Sequence, residues 1–141
     1  MPAGGITAEA MAALHHACFT VPRPWRAVEF SLLRANPLCF TVGDLAGFAL
    51  GRVVADEAEL LTLAVDPMLR RQGIGADLMG QFLAKAKERA AQSVFLEVID
   101  DNEAARALYL KTGFTVQGLR RGYYHFPNGM RRDAVVMRCA L

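Results

Sequence analysis

Two residues in the middle of the chain have side chains and spacing suited to proton transfer. Glu97 stands alone in the apolar run Ser93–Ile99, where strand alternation places it on the same face as Phe95. Partial burial there would raise the pKa of its carboxyl group and make it a general base near neutral pH. An edge strand would instead turn the same carboxylate towards water.

Tyr109 is the second such residue, in a short helix that Asn102 can cap. Seven residues at about 100° each return Tyr109 to within roughly 20° of the stripe that holds Asn102, about 10 Å further along. One extended ligand could therefore contact both side chains. The phenol can donate a proton, although a core aromatic residue would give the same pattern.

A turn with two glycines, Arg70-Arg-Gln-Gly-Ile-Gly75, precedes a helical pattern over residues 73–91. The free N–H groups and positive dipole end of a helix start attract anions, and glycines let phosphates reach the backbone. Arg70 or Arg71 could add a charged contact. The turn lacks the Lys-Ser or Lys-Thr of a P-loop, and Leu78 replaces the third glycine of a dinucleotide fingerprint. A tight turn that binds nothing is the alternative.

Helical and strand periods alternate along the whole chain. The second helix is expected from Pro24 to Asn36, with Val28, Leu32 and Leu33 on its inner face. The other predicted helices are 8–18, 73–91 and 103–112, and the predicted strands are 38–42, 45–54, 59–65, 93–99, 114–124 and 133–140.

The lengths of the connections predict the topology of the sheet. Short turns make the first three strands an antiparallel meander, whereas the unit strand 59–65, helix 73–91, strand 93–99 requires a parallel βαβ crossover. The predicted fold class is α/β (mixed α+β). It has a central mixed, mostly antiparallel sheet of about six to seven strands, with helices on both faces.

Length and composition limit the class of protein. The chain has 141 residues, 53% of them hydrophobic, which suits one globular domain over residues 1–141. The absence of a signal-peptide pattern and of an apolar run of about 18 residues predicts a cytoplasmic protein without a membrane span. The three cysteines, Cys18, Cys39 and Cys139, have no ligand spacing, so we expect buried reduced thiols and no metal site.

The charge distribution is uneven although the net charge is only +2. Residues 111–141 contain six positive residues and one negative residue, so they carry +5 and the preceding residues carry −3. The low net charge argues against a general polyanion binder. The histidines, His125 and the pair His15-His16, are expected to be ordinary surface or helix residues.

Several blocks of this sequence resemble the GNAT superfamily of N-acetyltransferases, and within it the RimI-type enzymes of bacteria. The turn Arg70–Gly75 matches the Q/R-x-x-G-x-G/A loop that binds the pyrophosphate of acetyl-CoA in that superfamily. The other matching blocks are Leu96-Glu-Val98 with Asn102–Tyr109 and Gly113-Phe114, Arg120–Tyr124 with Asn128-Gly129, and Cys18-Phe19 with Pro24-Trp25. The resemblance covers nearly the whole chain and is densest over residues 60–137.

The resemblance implies the GNAT fold, acetyl-CoA as co-substrate and no metal. It implies Glu97 as general base, Tyr109 as the acid that protonates the CoA thiolate, and Asn102 as a CoA contact. Tyr109 also counts among the implied cofactor contacts, with Leu63, Ala64 and Val65 at a strand end and Arg70, Arg71, Gln72, Gly73, Ile74, Gly75 and Ala76 in the turn. The implied substrate contacts are Trp25, Tyr123 and Tyr124.

The implied activity is acetyl transfer to a protein N-terminal α-amine, that of the N-terminal alanine of a small-subunit ribosomal protein. The expected enzyme is a monomer with no direct nucleic-acid function. A lysine side chain or a small-molecule amine is an alternative acceptor, and the lower pKa of an α-amine, about 7.7–8.0 against about 10.4 for lysine, slightly favours the first. Two departures from the family's pattern, Asp100-Asp101 and Pro22-Arg23-Pro24, bear on peptide selectivity.

A non-catalytic CoA- or RNA-binding module is the second alternative. Arginines and tyrosines between residues 120 and 132 are the kind of surface that contacts single-stranded RNA. No RNP-like motif accompanies them, and the same residues would also suit a solvated hairpin.

Overall fold

The computed structural model describes residues 6–19 and 23–141, which form four α-helices and a six-stranded sheet. The helices are α1 (Ala8–Cys18), α2 (Ala27–Ala35), α3 (Ile74–Glu88) and α4 (Glu103–Lys111). The strands are β1 (Cys39–Asp44), β2 (Gly47–Val54), β3 (Glu57–Val65), β4 (Ser93–Ile99), β5 (Thr115–His125) and β6 (Arg131–Ala140), and a short 3₁₀ turn spans Pro67–Leu69.

The strands follow the order β1-β2-β3-β4-β6-β5 across the sheet. All neighbouring strands are antiparallel except β3 and β4, which are parallel and joined through α3. The mixed, mostly antiparallel sheet with one βαβ crossover is therefore confirmed, and the number of strands in the described part of the chain is six.

Two apolar cores lie on opposite faces of this sheet. Met11 of α1, Phe30 of α2 and Phe48 of β2 belong to one core, whereas Phe82 of α3 and Tyr109 of α4 belong to the other. Successive residues of a strand point to opposite faces, so β2 contributes side chains to both cores. Helices on both faces are thus confirmed.

The inner face of α2 differs from the prediction. Phe30 is fully buried and Leu33 packs beside it, whereas Val28 and Leu32 are 53% and 69% exposed. The sequence Val28–Leu33 is compatible with an inner stripe that contains Val28 and Leu32 or with one that contains Phe30 and Leu33. The structure buries the second stripe, which carries the largest side chain.

The start of α2 is set by Glu29. Its carboxylate accepts a hydrogen bond from the backbone N–H of Arg26 at 2.9 Å and pairs with Arg23 at 2.8 Å. A carboxylate at the third helical position satisfies an otherwise free backbone donor, so the helix begins at Ala27 and Pro24 precedes it. The segment Pro22-Arg23-Pro24 departs from the family's pattern. Pro22 lies outside the described residues, and Arg23 connects this loop to α2 through its ion pair with Glu29.

The sheet opens between β3 and β4. These strands pair only where Glu57–Glu59 face Ser93–Phe95, and no further pairs join them beyond that point. On its other edge β3 carries a bulge: Leu60 pairs with Gly51 and Thr62 with Leu50, so Leu61 is an extra residue. Such a bulge bends the strand and increases its twist, which carries β3 away from β4.

Gly51 lies opposite the bulge, where a side chain has no room. A Cβ atom there would be 2.4 Å from Cε2 of Phe82 and 3.1 Å from the carbonyl oxygen of Glu59. The close approach of α3 to β2 therefore requires glycine at this position.

We expect Gly51→Ala to lower the free energy of unfolding by about 2 kcal/mol, because the new methyl group must displace the Phe82 ring in a packed core. Urea denaturation measures this change. The matched control is Gly80→Ala in α3, where a Cβ atom meets nothing within 4 Å. That variant should gain about 0.5–1 kcal/mol from helix propensity, and equal stabilities for the two variants would contradict the packing argument.

Candidate active site

A cavity of about 860 Å³ lies in the gap between β3 and β4. Residues 60–65 of β3 form one wall and residues 96–99 of β4 form the other, with α3 and α4 at the sides. Of the predicted site residues, the lining includes Trp25, Leu63, Ala64, Val65, Arg70, Arg71, Gly73, Ile74, Gly75, Glu97, Asn102, Tyr109 and Tyr124. Gln72, Ala76 and Tyr123 are exposed residues that do not line it.

The turn before α3 has the backbone geometry of an anion site. Arg71 and Gly73 both adopt left-handed conformations, with φ of 66° and 80°, and left-handed residues in such turns aim neighbouring N–H groups into one concavity. Gly73 is the N-cap of α3 and provides no side-chain hydrogen bond to the helix start. The first-turn N–H groups therefore remain available to a ligand.

Gly75 lets α4 approach the start of α3. A Cβ atom at this position would be 3.1 Å from Cδ2 of Leu108, which also lines the cavity. The glycine thus leaves space between the two helices beside the anion site.

The end of β3 offers a peptide-like ligand an unpaired strand edge. Leu63, Ala64 and Val65 pair with β2 on one side, and their other edge faces the gap. The thiol of Cys18 donates a hydrogen bond to the carbonyl oxygen of Val65 at 3.2 Å. Cys18 is therefore a partly exposed residue at the cavity, unlike the buried Cys39 and Cys139, and the expectation of burial was wrong for it.

Glu97 lies on a central strand, which excludes the interpretation of an edge glutamate that faces water. Its side chain is 19% exposed, and Oε1 is 2.9 Å from Nε of Arg120 on β5. The alternation of β4 alone does not reveal this cation, which holds one oxygen of the carboxylate in an ion pair. The guanidinium group of Arg120 also lies over the ring of Tyr123, 5.3 Å from its centroid.

Two phenols share the cavity with Glu97. Tyr109 is 7% exposed and its ring packs 5.9 Å from that of Phe114, so it is both a core residue and a lining residue. Burial raises the pKa of Tyr109, and burial together with the Glu97 carboxylate raises the pKa of Tyr124 to about 12. Both hydroxyl groups therefore keep their protons near neutral pH and can donate hydrogen bonds.

Asn102 caps α4 as predicted. Its Oδ1 atom accepts a hydrogen bond from the backbone N–H of Ala105 at 3.1 Å. The carbonyl end of the side chain is thereby engaged, and the amide NH₂ group is the end that can donate to a ligand in the cavity.

His15 lies in helix α1, as a helix residue was expected to, but its imidazole is buried in the cavity wall, a role that the prediction did not include. Its Nδ1 atom accepts a hydrogen bond from the backbone N–H of Trp25 at 3.0 Å, so the proton lies on Nε2, which donates to Oγ1 of Thr62 at 2.9 Å. The imidazole thus ties the loop that holds Trp25 to β3 directly after the bulge. A sequence signal existed, because position 15 follows Met11 by four residues on the inner face of α1.

Several arginines of the β5–β6 region are paired with carboxylates. Arg132 lies 3.7 Å from Asp100 and 3.5 Å from Asp101, and Arg138 lies 2.7 Å from Glu57. With the pair between Arg120 and Glu97, these contacts compensate much of the positive charge in this region. Because these arginines are paired with carboxylates of the same chain, the RNA-binding alternative is disfavoured. Asp100 and Asp101, which depart from the family's pattern, are the partners of Arg132.

Within residues 6–19 and 23–141, no group of three or more His, Cys, Asp or Glu side chains is placed to hold a metal ion. No helix within this part of the chain is long and apolar enough to cross a membrane.

The mixed sheet with its cavity between two parallel strands is the arrangement expected for the GNAT superfamily, and the sequence matches that family as well. Residues 8–114 match the sequence model of the Acetyltransferase (GNAT) family, so the chain belongs to that family. The expected GNAT fold is confirmed.

Individual relatives show which members of this family the chain is similar to. The chain is 41% identical over 98 residues to the [ribosomal protein bS18]-alanine N-acetyltransferase of Haemophilus influenzae, covering 70% of this chain and 66% of that one. It is 37% identical to the N-alpha-acetyltransferase RimI of Mycobacterium tuberculosis, covering 90% of this chain and 87% of that one. The crystal structure of the ribosomal-protein-S18-alanine N-acetyltransferase from Escherichia coli matches with a TM-score of 0.83 at 32% identity, covering 94% and 86% of the two chains.

The buried imidazole predicts an acid-dependent loss of stability. Burial lowers the pKa of His15 from 6.5 to about 4, so the unfolded state takes up a proton before the folded state as the pH falls. His15 should not affect the pH dependence of stability above about pH 7, and it should cost roughly 2 kcal/mol of unfolding free energy by about pH 4.5. Urea denaturation across this range measures the effect.

The control for this prediction is the neighbouring, exposed His16. We expect His16→Gln to keep the wild-type pH dependence and His15→Gln to flatten it, even though the second variant is also less stable at neutral pH. Identical slopes for the two variants would show that His15 does not cause the acid effect. Protonation of Glu29, whose pKa is lowered to about 2 chiefly by its hydrogen bond with Arg23, destabilises only at lower pH.

Proposed function

We propose that this chain, acting as one domain over residues 1–141, is an acetyl-CoA-dependent N-acetyltransferase of protein N-termini. The observation that carries the proposal is the cavity between β3 and β4, which joins Glu97 and Tyr109 to the anion-binding turn before α3. The proposed acceptor is the α-amine of an N-terminal alanine on a ribosomal protein, as the names of the relatives indicate.

The lining of the cavity fits acetyl-CoA in three places. The turn at Arg70–Gly75 would hold the pyrophosphate through backbone N–H groups, with Arg70 or Arg71 adding charge. The unpaired edge of Leu63–Val65 would bind the amide groups of the pantetheine arm as an added strand. The NH₂ group of Asn102 would supply a further hydrogen bond.

The chain's own residues would then manage the protons. Bound acetyl-CoA supplies an acetyl thioester, in which the amine forms a new C–N bond while the C–S bond breaks. The Glu97 carboxylate, paired with Arg120, would accept the proton that the amine loses, directly or through one water. The Tyr109 hydroxyl, kept protonated by burial, would donate a hydrogen bond and then a proton to the leaving sulfur.

The acceptor would enter between the α1–α2 side and the β5–β6 hairpin. Trp25 and Tyr124 line the two sides of the cavity, and Tyr123 packs edge-on against Tyr124 with a centroid distance of 5.3 Å. His15 would position the Trp25 side through its hydrogen bond to the backbone. These contacts support an extended N-terminal peptide as acceptor.

Acetyl-CoA should raise the melting temperature of the wild-type protein, since binding to the folded state adds roughly 2.7 kcal/mol at a ligand concentration about 100 times Kd. Gly75→Val should abolish this shift, because its side chain would fill the space between the turn and Leu108. Gly80→Val, in the same helix but with open space around it, should keep the shift. A wild-type protein that shows no shift would contradict the assignment of the co-substrate.

The acceptor is tested by measuring CoA release with peptides that begin with Ala, Ser, Met or Gly, beside N-terminally blocked peptides that contain lysine. We expect acetylation only of free α-amines, with alanine preferred. Activity confined to lysine or to small amines would contradict the proposed acceptor while leaving the co-substrate in place.

Two variants link that activity to the site. Glu97→Gln should lower kcat by about 10²–10⁴-fold, as loss of a general base does, while the acetyl-CoA thermal shift persists. Tyr109→Phe should reduce turnover more than it weakens acetyl-CoA binding. Wild-type turnover in either variant would exclude that residue from the chemistry.

A further inference from the structure

We propose that Arg120 is a positioning residue that holds one oxygen of the Glu97 carboxylate and orients the other towards the acceptor end of the cavity. The inference rests on the proposed function, since it matters to turnover only if Glu97 is the general base. Its basis is the ion pair between Arg120 and the cavity residue Glu97, which neither the apolar pattern of β4 nor the names of the relatives indicate.

The contact holds one oxygen of Glu97 and leaves the other available. Nε of Arg120 lies 2.9 Å from Oε1, so Oε2 is the atom that can accept a proton from an amine or from a bridging water. The guanidinium group is fixed on a second side by the ring of Tyr123. Removal of Arg120 would leave a largely buried carboxylate, 19% exposed, without this cation.

The register of the sheet explains how Arg120 reaches a residue two strands away. Glu97 pairs with Val136 of β6, and Val136 pairs with Gly118 of β5, so these three residues form one row on the same face. Arg120 begins the adjacent row, where its partner on β6 is Ala134. Because Gly118 has no side chain and Ala134 has a short one, the long side chain of Arg120 has room to lie diagonally across β6.

The other ionisable groups around Glu97 do not replace Arg120. Tyr124 on β5, Tyr109 on α4 and His15 on α1 are uncharged near neutral pH, because burial raises the pKa of both phenols and lowers that of the imidazole. Asp100 and Asp101 follow β4 and lie within 3.7 Å of Arg132. Arg120 is thus the cation that contacts Glu97 in the described structure.

The test compares kcat with the binding of acetyl-CoA, using an alanine-initiated peptide as acceptor. Arg120→Gln should lower kcat about tenfold or more, because a base that is no longer held in place is less often in a reactive geometry with the amine. The KM for acetyl-CoA and the acetyl-CoA thermal shift should stay near their wild-type values, since Arg120 does not line the cavity. Arg120→Lys should restore part of kcat.

The matched control is Arg121→Gln, which removes the same charge from the next residue and should leave kcat at its wild-type value. An equal fall in kcat in this variant would overturn the proposal in favour of a general charge effect. An Arg120→Gln variant with wild-type kcat would overturn it as well.

A second measurement separates failure of this inference from failure of the proposed function. NMR of ¹⁵N-labelled arginine side chains, with the Nε–H signal of Arg120 assigned by its loss in Arg120→Gln, follows the ion pair without any turnover. A shift of this signal in Glu97→Gln supports the pair even if the protein acetylates no tested peptide. An Arg120 signal that Glu97→Gln leaves unchanged overturns the inference even if the protein is an active acetyltransferase.

Discussion

The early end of pairing between β3 and β4 is the constraint on which the rest of the structure depends. Backbone N–H and C=O groups inside a protein need partners, and a strand edge that faces a cavity has no neighbouring strand to supply them. The bulge at Leu61 creates such an edge at Leu63–Val65, and Gly51 lets α3 pack closely against the sheet beside it. The same divergence exposes the face of Glu97 and brings the start of α3 next to the gap, so one local irregularity assembles the whole cavity.

The sequence predicted most of the elements, because their periods of 2 and 3.6 residues are local properties. It did not predict the bulge, and the burial of Ala58, Leu60, Thr62 and Ala64 shows why. These residues alternate without interruption along β3 although the strand changes face between Leu60 and Thr62, since helices cover both faces. A regular pattern of apolar residues therefore conceals the irregularity that forms the site.

Only some residues of the candidate site were predicted, and the physical reason is related. Glu97, Asn102 and Tyr109 stand out because one polar group in an apolar run, or one capping residue, is visible within a few positions. Arg120 and His15 act through partners far along the chain, at Glu97 and Thr62, and long-range contacts leave no trace in local spacing. The prediction for the inner face of α2 was wrong for the same reason, because only tertiary packing determines that Phe30 is buried and Val28 is exposed.

The extra residue in β3 also has an evolutionary consequence. Loss of Leu61 would restore a regular ladder with β2, in which Thr62 to Val65 keep their present partners and therefore their present faces. The contact of Thr62 with His15 would persist, but the strand would lose its cause for bending away from β4. A one-residue deletion, which most surface strands would absorb at an end, would here close the binding slot without turning any side chain to the other face of the sheet. Strand length in this segment is thus under the same selection as catalysis, and we expect lineages with this fold to vary its side chains far more freely than its residue count.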